Sequence, residues 1–440
     1  MKKIKITIIY TTLIYMGASG QTPDTTSFDR FTFHAQATII DQFKPGFKAP
    51  YSGANSLSTG QENKLTFTAT VFAGARLWKG GSIYFNPEIS GGSGLSSTLG
   101  VAAATNGEAF RIGDPVPQVY LARLFFSQIF AVTKRNNAIP SDVNQLKGTV
   151  PETYFRIIAG KLDVVDYFDD NTYSHDPRTQ FMSWALMDNG AWDYPANTRG
   201  YTPSLVLEYI SPKNEIRYAI SLLAQTANGL EMDWNLAHSS AHTLEYTHRY
   251  YLKNREGAIR FLAFLNSTHM GNYSQSLNLQ GSGAPDITAT RKYGNIKYGF
   301  GLSAEQSLNS FIGIFFRAGW NNGQTESWSF TEIDHGVSGG ISLTGIKWKR
   351  PDDQIGLAFV ASGISSMHRA YLKAGGNGFI LGDGSLAYGW EKLAECYYSV
   401  ALLKKQLFLS GAYQFLVNPG YNTDRSGPVH IFSIRLHADL

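Results

Sequence analysis

The chain has 440 residues, 43% of them hydrophobic, with 38 Lys and Arg against 34 Asp and Glu, a formal net charge of +4. Its mean hydropathy is −0.18, which a soluble enzyme could share. This weak charge gives no electrostatic reason to expect a nucleic-acid partner. The single cysteine, Cys396, excludes an intramolecular disulfide, so the fold must be stabilised in another way.

The N-terminus has the pattern of a secretory signal peptide. Three lysines precede an apolar run over residues 6–16, and a small-residue site follows at residues 18–20. We expect cleavage before Gln21, which leaves residues 21–440 as one domain and lowers the formal charge to about +1. The apolar run is too short for a spanning helix, and no later segment approaches the required length. The sequence therefore predicts an exported protein without a helical anchor.

Apolar and polar residues then alternate with period two in segments of about ten residues, as in half-buried β-strands. Apolar positions of the first two segments are Phe31, Phe33, Ala35, Ala37 and Ile39, then Leu65, Phe67, Ala69, Val71, Ala73, Ala75 and Leu77. The last segment alternates up to the C-terminus, where Leu440 replaces the aromatic residue that is commoner in barrels. Alternation alone also fits a soluble sandwich, so the connections must decide.

Short and long connections follow each other along almost the whole chain. Short ones occupy residues 78–82, 211–214, 253–256, 307–310, 349–352 and 404–406; long ones lie near 41–63, 90–117, 163–200, 223–241, 267–292, 321–335, 362–387 and 418–427. This rhythm is typical of an outer-membrane barrel, with periplasmic turns and extracellular loops. We predict an all-β fold, a closed transmembrane antiparallel barrel of about 16 strands, since hydrocarbon tolerates no open sheet edge.

One connection departs from this rhythm. Residues 134–151 fall where a short periplasmic turn is expected. Either this segment is a longer periplasmic excursion, or a strand is wrongly assigned there.

The stretch over residues 163–193 is too long, acidic and aromatic for an ordinary connection. Asp176 suits a helix N-cap and Pro177 the first helical position, and Asn189 and Gly190 would end the helix. Phe181, Trp184 and Ala185 would form its apolar side. We predict that this loop folds into the lumen with short helices, turning Asp176, Arg178 and Trp192 toward a passing solute. The alternative is a surface loop with one helical turn.

By strand parity, arginines and carboxylates both face the lumen, among them Arg76, Glu88 and Arg123. Because neither sign dominates, a polar wall for neutral hydroxylated solutes is favoured over an ion-selective ladder. His238, His242 and His248 have spacings compatible with a metal site but lack the companion glutamate of a zincin. No nucleophile elbow or phosphate-binding loop occurs, so no catalytic, metal or cofactor site is predicted.

Several motifs resemble the OprB-type carbohydrate-selective porins, and the likeness extends from about residue 31 to the end. They are HDPRTQFMSWAL at 175–186, GAWDY at 190–194, NPE at 86–88, NGEAFR at 106–111, YLARLF at 120–125, TESW at 325–328 and GDG at 382–384 followed by YG at 388–389. The resemblance implies a sixteen-stranded barrel in the outer membrane of a Gram-negative bacterium, through which glucose and related small sugars diffuse.

The resemblance also implies a constriction of charged and aromatic groups formed by loops in the lumen. Its motifs place Arg76, Glu108, Arg111, Arg123, Arg178 and Trp192 there, and parity and loop pattern add Glu88, Asp176 and Trp184 as substrate-binding candidates. Expected partners are small sugars and outer-membrane lipid, with no nucleic acid and no cofactor. Monomer and trimer remain open. A barrel enzyme or adhesin with a blocked lumen, acting through its extracellular loops, is the alternative.

Overall fold

The computed structural model describes residues 28–112 and 114–440, without the side chains of residues 110–112. The signal peptide predicted over residues 1–20 lies outside the described residues. The described strands are β1 (Phe31–Lys44), β2 (Glu62–Trp78), β3 (Gly81–Gly92), β4 (Gln118–Ala131), β5 (Asn136–Ile139), β6 (Gly148–Pro151), β7 (Tyr154–Leu162), β8 (Thr202–Ile210), β9 (Asn214–Ser221), β10 (Ser240–Leu252), β11 (Arg255–Met270), β12 (Lys292–Ser307), β13 (Ile312–Asn321), β14 (His335–Thr344), β15 (Gln354–Gly363), β16 (Glu391–Leu403), β17 (Leu407–Val417) and β18 (Val429–Asp439).

Sixteen of these strands form a closed antiparallel barrel, and β5 and β6 form a separate hairpin. Strands pair with their neighbours in sequence, β4 pairs with β7 around the hairpin, and β1 closes the barrel on β18. The closing register runs from Gln36 opposite Asp439 to Phe43 opposite Phe432. The predicted fold class and strand number are therefore confirmed, and no backbone edge is left open toward lipid.

Side-chain burial in the barrel wall is the opposite of that in the sheet of a soluble protein, because the apolar side chains are exposed and the polar ones are buried. On β18, Ile434 is 61% exposed, whereas its neighbour Arg435 is fully buried. On β1, Phe33 is 70% exposed and Gln42 only 1%. Exposed apolar side chains facing out and buried polar ones facing in are the alternation of a wall that contacts lipid on its outer side.

Residues 134–151 form an additional excursion at the end of the barrel that carries the short turns and the C-terminus. The hairpin of β5 and β6 occupies most of it, with Asn136 opposite Pro151 and Ile139 opposite Gly148. The segment is thus an excursion at the periplasmic end, as the first alternative has it, although its hairpin folds back against the inner wall of the barrel. No barrel strand is misassigned there.

In the described residues the α-helices are few and short: α1 (Gly107–Ile112), α2 (Trp184–Met187), α3 (Tyr273–Leu279) and α4 (Ser366–Lys373). None of the helices in the described part of the chain has the length and apolar character needed to cross a membrane. They lie in the long connections, which pack on one another through a cluster of buried apolar residues that includes Leu95, Phe181, Phe330, Tyr371 and Leu381. This core inside the barrel positions the site described next.

Candidate functional site

The connection between β7 and β8, residues 163–201, lies inside the barrel, and we call it the lumen segment. Inward-facing side chains of several distant strands bind its backbone. Arg435 of β18 donates to the carbonyl oxygens of Pro177 and Gln180, both at 2.7 Å. Glu395 of β16 accepts from the N–H of Met182 at 2.6 Å. These two strands are separated only by β17, so both contacts fix the segment to one side of the lumen.

The opposite wall binds the same segment. Glu245 of β10 accepts from the N–H of Asp169 at 2.8 Å. Arg317 of β13 donates to Asp169 Oδ1 at 3.0 Å, to the Ser174 carbonyl at 2.6 Å and to the Leu186 carbonyl at 2.9 Å. Both Arg317 and Asp169 are almost fully buried. The wall therefore supplies the hydrogen-bond partners that a backbone crossing the lumen would otherwise lack.

The helix predicted to begin at Asp176 is wrong in position. Residues 176–179 form only a turn, and α2 begins eight residues later, at Trp184, after Ser183 as its N-cap. Arg435 takes the carbonyls of Pro177, Thr179 and Gln180 as acceptors. A helix continuing from Asp176 would use those carbonyl oxygens in its own backbone hydrogen bonds. Because Arg435 binds them instead, no helix forms at this position.

The aromatic residues of the lumen segment pack with one another and with the connection between β13 and β14. The Trp184 ring stacks on Phe330 with centroids 4.4 Å apart, and Trp192 lies 5.3 Å from Tyr194. Trp184 is fully buried and Trp192 is 2% exposed. Both rings, which the sequence suggests as solute contacts, are inaccessible to a solute in this structure and stabilise the fold of the segment instead.

Arg178 projects from the lumen segment to two carboxylates and brings three of the predicted residues together. Its Nη2 lies 3.3 Å from Glu88 Oε2 on β3, and its Nε lies 3.1 Å from Glu108 Oε2 on α1. Both carboxylates are about 1% exposed and Arg178 is 9% exposed. One guanidinium with donors fixed in a plane can bridge two carboxylates in this way, which an ammonium group cannot do with the same geometry.

Hydroxyl groups complete the shell around the two carboxylates. Thr68 donates to Glu108 at 2.7 Å, and Thr70 donates to Glu88 at 2.5 Å. Tyr120 and Tyr201 donate to the other oxygen of Glu88, at 2.6 and 3.0 Å. Sequence reasoning missed these partners, although the inward parity of the two threonines on β2 was visible. Their hydrogen bonds stabilise the ionised carboxylates and so preserve the charge pairing with Arg178.

Arg123 lies beside this group on β4. It forms a bidentate pair with Asp166, with distances of 2.6 and 2.7 Å, and lies 3.7 Å from Asp163. Its guanidinium carbon also lies 5.1 Å from the centre of the Tyr201 ring. Because Tyr201 binds Glu88 as well, the Arg123 and Arg178 groups form one connected charged surface.

Asp176 shapes the turn that carries Arg178. Its Oδ1 accepts from the Arg178 N–H at 2.9 Å, and its Oδ2 accepts from the Thr179 hydroxyl at 3.3 Å. Burial alone would raise the pKa of Asp176, but the Arg178 guanidinium and the backbone hydrogen bond hold that pKa below its usual range. Asp176 is therefore an anion at neutral pH that orients the arginine next to it.

A cavity of about 510 Å³ lies directly below this charged surface, on the side of the short turns. Glu108, Arg123, Asp176 and Arg178 line its upper part. Its volume falls within the range of about 300–1,000 Å³ that small-molecule sites occupy. The structure therefore brings five of the nine predicted residues to one place. Four of them line the cavity, and the fifth, Glu88, contacts Arg178.

Two further candidates, Arg76 and Arg111, are not among these five. Arg76 is near the periplasmic end of β2 and donates to the carbonyls of Lys147 at 3.0 Å and Asp29 at 3.2 Å. Arg111 belongs to α1, but its side chain is outside the described part of the molecule. Among residues 28–112 and 114–440, no group of three or more His, Cys, Asp or Glu side chains is placed to bind a metal ion.

A second set of paired charges on the lumen wall emerges only from the structure. Arg217 of β9 contacts Glu208 at 2.8 Å and Glu215 at 2.6 Å, Arg156 of β7 also binds Glu208, and Arg249 binds Glu215 at 2.5 Å. The inward parity of Arg156 was visible in the sequence, but the pairing was not. These side chains neutralise one another near the short turns.

A closed sixteen-stranded wall with lipid-facing apolar residues and a charged surface over a cavity defines an outer-membrane channel of the porin class. The chain belongs to the OprB family of carbohydrate-selective porins, whose family model matches residues 54–440. This is a channel family rather than an enzyme family, and it places the protein in the outer membrane of a Gram-negative bacterium.

Solved structures agree with this fold. A high-pH structure of Pseudomonas putida OprB aligns with a TM-score of 0.70 at 13% identity, covering 93% of this chain and 94% of that chain. The outer membrane channel DcaP of Acinetobacter baumannii aligns with a TM-score of 0.52 at 10% identity, covering 96% and 100%. No curated protein gives a significant match to the sequence. At these identities the structural likeness supports the fold alone.

Proposed function

We propose that this porin allows passive, selective diffusion of carbohydrates, glucose and related small sugars, through a constriction formed by Arg178, Glu88, Glu108 and Arg123. No reaction, energy coupling or cofactor takes part. The family supplies the general substrate class, and the geometry of the lumen suggests which side chains carry the selectivity. The observation that carries the proposal is Arg178, held between two buried carboxylates directly above the 510 Å³ cavity.

Selectivity would follow from the pairing of charges at this place. Arg178 is shared by Glu88 and Glu108, and Arg123 lies 2.6 Å from Asp166 and 3.7 Å from Asp163. With Asp176, five carboxylates stand against two guanidinium groups, so this surface does not attract anions, and it offers fixed donors and acceptors to hydroxyl groups. A sugar can replace its hydrogen bonds to water by hydrogen bonds to these groups, one at a time. Binding stays weak enough for the solute to leave.

Outer-membrane lipid is the second proposed partner, and it would contact the outer face of the barrel. Exposed residues such as Phe33, Phe261, Phe300, Leu357 and Ile434 form an apolar surface around the wall. Sequestering such a surface from water is favoured only in a hydrocarbon environment or a detergent micelle.

Liposome swelling tests selectivity directly. We expect glucose to enter proteoliposomes faster than a dicarboxylate of similar size, because the paired charges give no net attraction for an anion. Equal entry of both solutes would contradict the selectivity. A reconstituted protein without any single-channel conductance would favour the blocked-lumen alternative.

An Arg178→Ala variant tests the residue assignment. Without the guanidinium, Glu88 and Glu108 lose their shared cation, so we expect higher conductance, stronger cation preference and weaker block of the ion current by glucose. Arg255→Ala is the matched control, since Arg255 is exposed at the start of β11. If both variants show the same glucose block as the unaltered protein, Arg178 does not contribute to the constriction.

A further inference from the structure

The hairpin of β5 and β6 is folded back against the mouth of the barrel. Its tip carries Ser141, whose hydroxyl lies 2.8 Å from Thr32 Oγ1 and 3.0 Å from His34 Nε2. Both partners lie on β1, where alternate residues face the lumen. The tip therefore contacts the inner surface of the wall, which a hairpin extending into the periplasm could not do.

A second contact fixes the depth that the hairpin reaches. The Asn86 side chain of β3 is fully buried, and its Nδ2 donates to Asn144 Oδ1 at 2.9 Å. Asn86 is one inward-facing position below Glu88, which corresponds to about 7 Å along a strand. The hairpin tip thus ends just below the carboxylate that binds Arg178.

Arg76 holds the base of the hairpin. Its Nη2 donates to the Lys147 carbonyl at 3.0 Å and its Nε to the Asp29 carbonyl at 3.2 Å. Gly148 permits this approach, since a Cβ atom there would lie 2.8 Å from the Phe28 ring and 3.1 Å from Arg76 Nη2. Leu146, between the tip and this anchor, is 3% exposed. The hairpin is therefore fixed at its base, at its side and at its tip.

The same tip forms one wall of the cavity below the constriction. Residues 142–144 line it, together with His34, His437 and Asp439 of β1 and β18. A carboxylate, a carboxamide and imidazoles supply both donors and acceptors, as a neutral solute with many hydroxyl groups requires. A solute that passes Arg178 enters this cavity before it reaches the periplasm.

We propose that the hairpin tip, with Asp142 and Asn144, forms a second polar binding site for neutral polyhydroxylated solutes on the exit side of the channel. Arg76 is the positioning residue that holds this wall in place. The inference rests on the proposed function for the nature of the solute, but the location of the tip in the permeation path does not depend on it. This assigns a role to Arg76 that differs from a direct contact at the constriction.

Ion selectivity tests the location of the tip without any sugar. We expect Asp142→Asn, which keeps the oxygen that accepts from the Val143 N–H at 2.8 Å, to lower the cation-to-anion permeability ratio in a KCl gradient. Asp142→Lys should lower it further, by about twofold or more, because a charge that lines a pore acts directly on passing ions. Glu256→Gln and Glu256→Lys are the matched controls, since Glu256 is exposed near the start of β11.

Equal reversal potentials for the Asp142 variants and the Glu256 controls would overturn the location. If glucose and a dicarboxylate enter liposomes equally while the Asp142 variants still shift the reversal potential, the proposed function fails and the location stands. Glucose block then tests the site itself. We expect a shorter glucose dwell time in Asp142→Ala than in Glu256→Ala, and equal dwell times would overturn the second binding site.

The role of Arg76 needs a separate measurement. In Arg76→Ala we expect faster amide hydrogen exchange over residues 136–151, higher conductance and unchanged exchange in the strands on the far side of the barrel. Arg76→Lys keeps a donor for one carbonyl and should restore part of the protection. Unchanged exchange of the hairpin in Arg76→Ala would show that Arg76 does not position it.

Discussion

Arg317 provides a quantitative test of how the wall fixes the lumen segment. It is 1% exposed, and its guanidinium lies 2.9 Å from the Asp169 carboxylate, which is 2% exposed. The same group donates to the carbonyls of Ser174 and Leu186. Replacement by methionine keeps most of the apolar stem and removes every one of these donors. Asp169 then keeps only uncharged partners such as the Asn189 N–H, at 2.7 Å.

Removing one partner of a buried ion pair costs about 3–5 kcal/mol, because the other charge stays buried without compensation. At 1.4 kcal/mol for each factor of ten, the docking equilibrium of the segment changes by about 10²- to 10⁴-fold. Since the strand ladder of β13 is unaffected, this cost falls on the docking of the lumen segment rather than on closure of the barrel. Removing both charges in Arg317→Met/Asp169→Asn should cost less than Arg317→Met alone.

Hydrogen exchange and single-channel recording measure this effect together. For Arg317→Met we expect faster exchange of the amides near residues 169–189, unchanged exchange in the strands and a larger or flickering conductance. The double variant should recover part of the protection. Unchanged exchange in Arg317→Met, or a double variant that is no better protected than the single one, would refute the reasoning.

Two further predictions concern the packing of the same segment. Trp184→Ala should destabilise docking by about 3–5 kcal/mol, since it empties the stacked position on Phe330, whereas Trp184→Phe should leave glucose block of the current unchanged. Burial raises the pKa of Asp193 to about 6 despite its hydrogen bonds from the N–H groups of Trp328 and Ser329. The folded state therefore retains this proton to higher pH than the unfolded chain, and the free energy of unfolding should fall as pH rises from about 4 to about 6. Thermal unfolding across this range should show a smaller slope for Asp193→Asn, and an identical slope would contradict the assignment.

The strands could be predicted because their alternating pattern depends only on residues that are neighbours in the sequence. A period of two places Phe432 and Ile434 on the lipid side and Arg435 on the lumen side, whichever strands are their neighbours. The order of short and long connections then fixes antiparallel neighbours, and the hydrocarbon solvent requires closure. Fold class, strand number and side-chain direction all follow from these rules.

The lumen segment was harder to predict because its conformation depends on distant partners. Asp176 and Pro177 satisfy local rules for a helix start, but Arg435 binds the carbonyls of that turn from more than 250 residues away in sequence. In the same way, Arg76 shares inward parity with other lumen arginines, and only the hairpin explains its partners. Local helix propensity does not determine the conformation where a wall side chain competes for the backbone carbonyl oxygens.

The barrel wall also explains why the inward-facing positions of the strands, read from the sequence, predict too many contacts with a solute. Arg317, Arg435 and Glu395 face the lumen, yet their hydrogen-bonding groups are used by the backbone of the lumen segment. A charge is available to a solute only where the inserted segment ends and a cavity begins, as at Arg178. These wall charges thus hold a second layer of chain, and we propose that this layer contributes Arg178 to the selective site. Exchanging Arg317 or Arg435 should therefore alter every solute alike, whereas exchanging Arg178 should alter solutes according to their charge and hydroxyl groups.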